Sequence, residues 1–278
     1  MKQILLLTDF SEDATNAMHY ALNLFKGNRC HFTILHVKDS GLYTTDDLMT
    51  GGQQSIYDSL IKNEKDKLDA IARTLKEKFK TEHFEFETTV DFDDFIDSIK
   101  QNIASNLIDL IVMGSNGISG VKEAVFGSNT LNVIRKVHCD TLVIPIGFEY
   151  VKPKEVLLPL DTSDLIGGKA FIDVMKFVKT FSNSIHILRV RESEMDETDE
   201  NTDTRLLKEQ LIEIPFSYSA ITNVPMHHAI NTHIQTNKIN FMMLIIQKES
   251  LLERLLTGSS TSKIGKDLKI PLLLFHSD

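Results

Sequence analysis

Short apolar runs alternate with amphipathic stretches along this chain. The first run covers residues 3–8, and Asp9-Phe10-Ser11-Glu12 turns out of it. From Ser11, a natural N-cap, Ala14, Met18, Ala21, Leu22 and Phe25 recur at helical spacing as far as Gly27-Asn28, which stop the helix. Residues 31–37 predict a second strand, and 56–79 a long helix with Lys and Glu on its outer face. A strand over 84–89 and a helix over 93–103 follow, with Phe95, Ile96 and Ile99 turned inward. The apolar run 107–113 is the next strand, a helix starts at Thr130, and 142–144 closes the series. Strands alternating with helices predict a mostly parallel sheet covered on both faces.

Between the strand ending at Met113 and the helix at Thr130 lies a loop marked by Gly114, Gly117 and Gly127, with Ser128 and Asn129 directly behind. Glycine lets backbone N–H groups come close to an anion and tolerates positive φ. Gly127-Ser128-Asn129 falls at a helix N-terminus, where free N–H groups and the helix dipole favour phosphate. Spacing alone leaves the alternative of ordinary turn glycines open. Ser128 and Asn129 also read as helix caps, which suits either interpretation.

The pattern then repeats. Residues 155–164 echo 3–12, aligning Asp161 with Asp9 and Ser163 with Ser11. A helix-like stretch covers 169–181, and Ile187-Leu188-Arg189-Val190 echoes Ile34-Leu35-His36-Val37. Residues 241–246, Gly258-Ser259 and 272–275 stand where 107–113, Gly127-Ser128 and 142–145 stood. The fold class predicted is α/β: two tandem Rossmann-like doubly wound domains, 1–146 and 153–278, each a five-stranded parallel sheet flanked by helices. Ligands bind such sheets at the carboxyl ends of the strands where strand order reverses, placing Asp9 and Gly114 beside the crevice. The second copy has Gln247-Lys248-Glu249-Ser250 in place of the early glycines, so its cradle is lost.

The spacing G-x2-G-x9-G-S-N after a strand ending Met-Gly, with Ile4 to Glu12 and Ile34-Leu35-His36-Val37, resembles the universal stress protein family, closely over residues 1 to about 146 and loosely beyond. The resemblance implies a site for ATP, AMP or ADP, with Mg or Mn bridging phosphates. It assigns ribose to Thr8 and Asp9, adenine to the main chain of Val37, and phosphate and ribose to Met113, Gly114, Gly117, Gly127, Ser128 and Asn129. It also implies that the halves pack as an intramolecular pseudo-dimer through their last strands, with a homodimer left open. The expected role is a stress-response module in which nucleotide sets shape or affinity for an unknown protein partner. The alternative is an interaction module with a vestigial site.

Composition narrows the picture little further. A formal charge of −9, from 30 basic and 39 acidic residues, with no dense basic stripe, argues against nucleic acid. No stretch is long and apolar enough for a membrane span, and the first apolar run is too short for a signal peptide. The two cysteines, Cys30 and Cys139, read as buried thiols of a reducing, cytoplasmic compartment. No Walker A lysine follows the loop, and Lys122 within it reads as solvated. No catalytic set is visible, and slow ATP hydrolysis would lack machinery. His227, His228 and His233 are badly spaced for a metal. The acidic run 192–203 reads as a disordered, solvated loop. Residues 39–55, with Gly51-Gly52, read as a lid over the crevice.

Overall fold

The computed structural model describes residues 1–38, 53–115, 126–162, 164–191, 197–246 and 269–276. Residues 39–52 of the predicted lid, Gly117, Lys122, Ser163, the stretch Gln247 to Ser250 and Gly258-Ser259 lie outside them, whereas residues 53–55 of the predicted lid are helical.

The first half runs β1 (Lys2–Leu7), α1 (Glu12–Leu24), β2 (Cys30–Val37), α2 (Gln53–Lys78), β3 (Phe84–Asp91), α3 (Phe95–Asn106), β4 (Leu110–Gly114), α4 (Ser128–Lys136) and β5 (Thr141–Ile144). The second half runs β6 (Glu155–Leu160), α5 (Gly168–Phe181), β7 (Ser184–Arg191), α6 (Glu197–Gln210), β8 (Phe216–Thr222), α7 (Met226–Thr236), β9 (Phe241–Ile246) and β10 (Leu272–His276). Each half has five strands parallel to one another. The ten form one mixed sheet in the order β3-β2-β1-β4-β5-β10-β9-β6-β7-β8, which reads alike from either end once the halves are equated. The halves meet where β5 and β10 pair antiparallel, Leu272 against Val143, Leu273 against Leu142 and Leu274 against Thr141. Antiparallel pairing of two equivalent edges is what a pseudo-twofold axis between the halves requires.

Strand side chains alternate between two apolar layers. Ile4 and Leu6 face the layer under α1, α2, α5 and α6, whereas Leu5 and Leu7 face the layer under α3, α4 and α7. Both layers continue across the seam, through Leu142 and Leu273 on one side and Val143, Leu272 and Leu274 on the other. Phe25 at the end of α1 meets Phe181 at the end of α5 edge to face, ring centres 5.3 Å apart, so helices also join the halves.

Ser11 caps α1 as its sequence suggests, its Oγ accepting the Ala14 N–H at 3.2 Å, and the five residues assigned to the inner face are all buried. Two expectations need correction. Leu107 is not strand: it ends α3 in the left-handed region, φ 50°, and is 79% exposed. The acidic run is not wholly a loop, because α6 begins at Glu197, and Asp203 on it is buried against the sheet. No described helix is long and apolar enough to cross a membrane.

Candidate functional site

Strand order reverses between β1 and β4 in the first half, and a pocket opens at the carboxyl ends of these strands. Leu7, Thr8, Asp9, Ala14, Val37, Phe95, Met113, Gly114, Asn129 and Thr130 line it, which brings together six of the sequence-assigned site residues. Gly127 and Ser128 stand beside them at the head of α4, outside the lining.

The turn after β1 is organised by its own side chains. Thr8 Oγ1 accepts the Phe10 N–H at 3.0 Å, and Asp9 Oδ1 accepts the Ser11 N–H at 3.0 Å. These bonds hold Phe10 at φ 66°, a region few bulky residues visit. The Thr8 carbonyl lies 2.9 Å from His36 Nδ1, tying the turn to β2. Asp13, on the first turn of α1, has its carboxyl raised above the ordinary range by burial, then by the charges of Asp9 and Glu12.

On the other side, Thr130 Oγ1 donates to the carbonyls of Gly114 at 3.2 Å and Ser115 at 3.0 Å, pinning α4 to the end of β4. Gly127, not Ser128 or Asn129, is the N-cap of α4, with φ −64°, so no positive φ explains this glycine. Its own N–H is already donated to Ser115 O at 2.8 Å. The N-cap is a glycine, so it offers no side chain to the first-turn N–H groups of Ser128 and Asn129. By contrast, α1 is capped by Ser11, and α3 by Asp94, whose carboxylate accepts from Ile96 at 2.9 Å and Asp97 at 3.2 Å. Gly114 has a packing reason too: a Cβ there would stand 3.2 Å from the backbone of Asp13.

Sequence reasoning missed Leu7, Ala14, Phe95 and Thr130 as lining. Phe95 and Ala14 showed only as inward positions of amphipathic helices, and Thr130 only as a helix start. The cysteines lie elsewhere, buried, with thiols pushed up by that burial to about 11 for Cys30 and about 12 for Cys139. Among the histidines, His227 and His228 have ring centres 4.0 Å apart at the head of α7, whereas His233 turns towards His186 at 5.5 Å.

The equivalent turn of the second half is built differently. Arg189, aligned with His36, is 2% exposed and donates through one terminal nitrogen to the carbonyls of Asp161 at 2.6 Å and Asp164 at 2.7 Å. Its remaining nitrogens reach Asp203 on α6 at 2.9 and 3.1 Å, and Tyr218 O–H donates to the same carboxylate at 2.7 Å. Asp164 Oδ2 accepts the Asp161 N–H at 2.7 Å. Asp161, the counterpart of Asp9, is thereby buried.

Fold and pocket define a tandem Rossmann-like α/β protein with a crevice at the switch point of its first half. The chain belongs to the universal stress protein family, whose family model matches residues 1–145. A Staphylococcus haemolyticus protein named as a universal stress protein is 28% identical over 148 residues, covering 51% of this chain and 84% of its own. Two solved structures match nearly the whole chain. A universal stress protein from Archaeoglobus fulgidus has a TM-score of 0.70 at 18% identity, covering 99% of this chain and 96% of that one. One from Pseudomonas aeruginosa has a TM-score of 0.64 at 13% identity, covering 99% and 93%. At such identities the likeness speaks for the fold. Nucleotide binding is typical of the family.

Proposed function

We propose that the first half binds one adenine nucleotide, ATP or its mono- or diphosphate, and that the second half is a degenerate copy that binds none. The observation that carries this reading is the convergence of Thr8, Asp9, Val37, Met113, Gly114 and Asn129 on one pocket beside a helix start without a side-chain cap. Asp9, in the pocket lining at the end of β1, is the ribose acceptor. The N–H groups at Ser128 and Asn129 are the phosphate donors. In the second half, Arg189 and Asp164 close the turn and bury Asp161, and the loop sequence has lost its early glycines. On this reading residues 1–146 and 153–278 are separate units of function as well as of sequence. A divalent cation, Mg or Mn, would accompany a triphosphate.

Occupancy then acts as a signal rather than a substrate state: filling the crevice ties the β1 turn to α4 and changes the surface offered to a protein partner. The test is to purify the protein without added nucleotide, denature it and identify released small molecules by mass spectrometry, alongside titration with ATP. An adenine nucleotide released, or saturable ATP binding, supports the reading. Absence of both up to millimolar ATP removes it.

A further inference from the structure

A second group of polar side chains stands in the other half, at the opposite ends of the strands. Glu155 opens β6, and His186 and Ser217 lie near the starts of β7 and β8. Ser217 is directly opposite His186 in the β7–β8 register, and Leu157, two residues after Glu155, is opposite His186 on its other side. Strand side chains alternate, so the three share the face whose apolar residues Leu157, Leu188 and Ile221 lie under α7.

They are joined in a line. Ser217 Oγ lies 2.9 Å from His186 Nδ1, and His186 Nε2 lies 3.0 Å from Glu155 Oε2. The Ser184 hydroxyl donates to the same carboxylate oxygen. That bond, against burial and with help from His186, holds the Glu155 carboxyl below its ordinary range. An ionised carboxylate can only accept, so the imidazole proton belongs on Nε2, and the Nδ1 lone pair faces the Ser217 hydroxyl. His233 of α7, itself buried, packs edge-on to the His186 ring with centres 5.5 Å apart. Burial, and then His186, lower the His233 imidazole below its ordinary value, so it adds no positive charge beside the base.

The shared plan of the halves does not require this trio. In the first half the register runs Leu5, Thr33, Glu87 where the second has Leu157, His186, Ser217, and Gln3 stands where Glu155 stands. Hydroxyl, imidazole and carboxylate fall into line only in the copy that has lost its glycine cradle. A nucleophile within hydrogen-bond reach of a base, with the base oriented by a third group, is the arrangement that activates serine.

We propose that Ser217, His186 and Glu155 are nucleophile, base and orienting carboxylate of an acyl-transfer site, which takes the acyl group of a reactive ester. Ser217 Oγ bonds to the ester carbonyl carbon as His186 Nδ1 takes the hydroxyl proton. The bond from that carbon to the leaving oxygen then breaks, and the leaving alcohol receives the proton from His186. Ser217 is exposed on an edge strand, so the site is open and suits an ester that is reactive in itself. The proposal is independent of the nucleotide reading.

The test uses the whole chain and two probes, an alkyl fluorophosphonate and p-nitrophenyl acetate, with the modified residues mapped by mass spectrometry. Fluorophosphonate should label Ser217 with loss of fluoride, and p-nitrophenyl acetate should leave an acetyl group there. Labelling should vanish in Ser217→Ala and slow by about tenfold or more in His186→Gln, which removes the base. Glu155→Gln leaves the base in place but can no longer fix its proton, and should also slow labelling by about tenfold or more. Circular dichroism establishes that each variant is folded, and if one is not, the other decides. Absence of label on Ser217 from both probes, or a wild-type rate in a folded His186→Gln or Glu155→Gln protein, overturns the proposal and reduces the trio to a structural ladder across the sheet edge.

Discussion

A methyl group at residue 114 would stand 3.2 Å from the backbone carbon and oxygen of Asp13 and 3.3 Å from its Cβ. Neither the last residue of β4 nor the first turn of α1 gives way freely, so Gly114→Ala should destabilise the fold by about 1–3 kcal/mol, read from the urea midpoint. An unchanged midpoint would show that α1 can retreat. Asp164 makes a second residue-level case. Burial, and secondarily the charge of Asp161, raise its carboxyl from the ordinary 3.8 to about 6, despite the Asp161 N–H and Arg189. The folded state thus holds this proton more tightly, and its contribution is full below the unfolded value. Stability falls as pH rises from about 4 to 6, where the folded protein binds the proton and the unfolded chain has lost it. Asp164→Asn keeps an oxygen for the Asp161 N–H but cannot ionise. It should flatten the stability profile across that window and be roughly 1–3 kcal/mol more stable than wild type at pH 7.5. Parallel profiles for the two proteins would contradict this.

At the scale of elements, α6 shows where the chain was readable and where it was not. Strands and the helices α1, α3 and α5 declare themselves because each has an apolar period that the sheet enforces. The acidic run had no such period, and the buried carboxylate of Asp203 is recognisable only once Arg189 on β7 is known to lie beneath it. Likewise, Phe95 showed as core and became pocket lining only when β2 and β4 set the crevice beside it. The nine-residue spacing before Gly127 located the head of α4, but not that its N–H is spent on Ser115 and its backbone is extended. Removing one partner of a buried ion pair leaves the other uncompensated. Asp203→Ala should therefore cost about 3–5 kcal/mol and loosen α6 in hydrogen exchange. Glu209→Ala, on the same helix in an exposed pair with Arg205 at 3.0 Å, should change stability by less than about 1 kcal/mol. Similar losses from the two would mean that the Arg189 network is not what docks α6.

As a whole, the molecule is one sheet built from two copies of one plan. The seam is short, with three residue pairs between β5 and β10, yet both apolar layers run through it without interruption. Neither half has a core of its own that ends at the seam, so unfolding should be shared. Pulsed hydrogen exchange across a urea series should show β1–β5 and β6–β10 losing protection at the same denaturant concentration. Separate midpoints for the halves would show that the seam is a docking surface rather than a common core.

The same symmetry sharpens the functional question, because an equal architecture is predicted to serve an unequal chemistry. Isothermal titration of the whole chain with ATP in the presence of Mg tests this most directly. A stoichiometry of one is predicted, with binding abolished in Asp9→Ala and Gly127→Val and retained within about twofold in Asp161→Asn. At φ −64° the Gly127 backbone suits any residue, so the valine tests close approach rather than strain. Circular dichroism confirms that each variant is folded. A stoichiometry of two, or equal losses from substitutions in both halves, would contradict the assignment of the site to the first half alone.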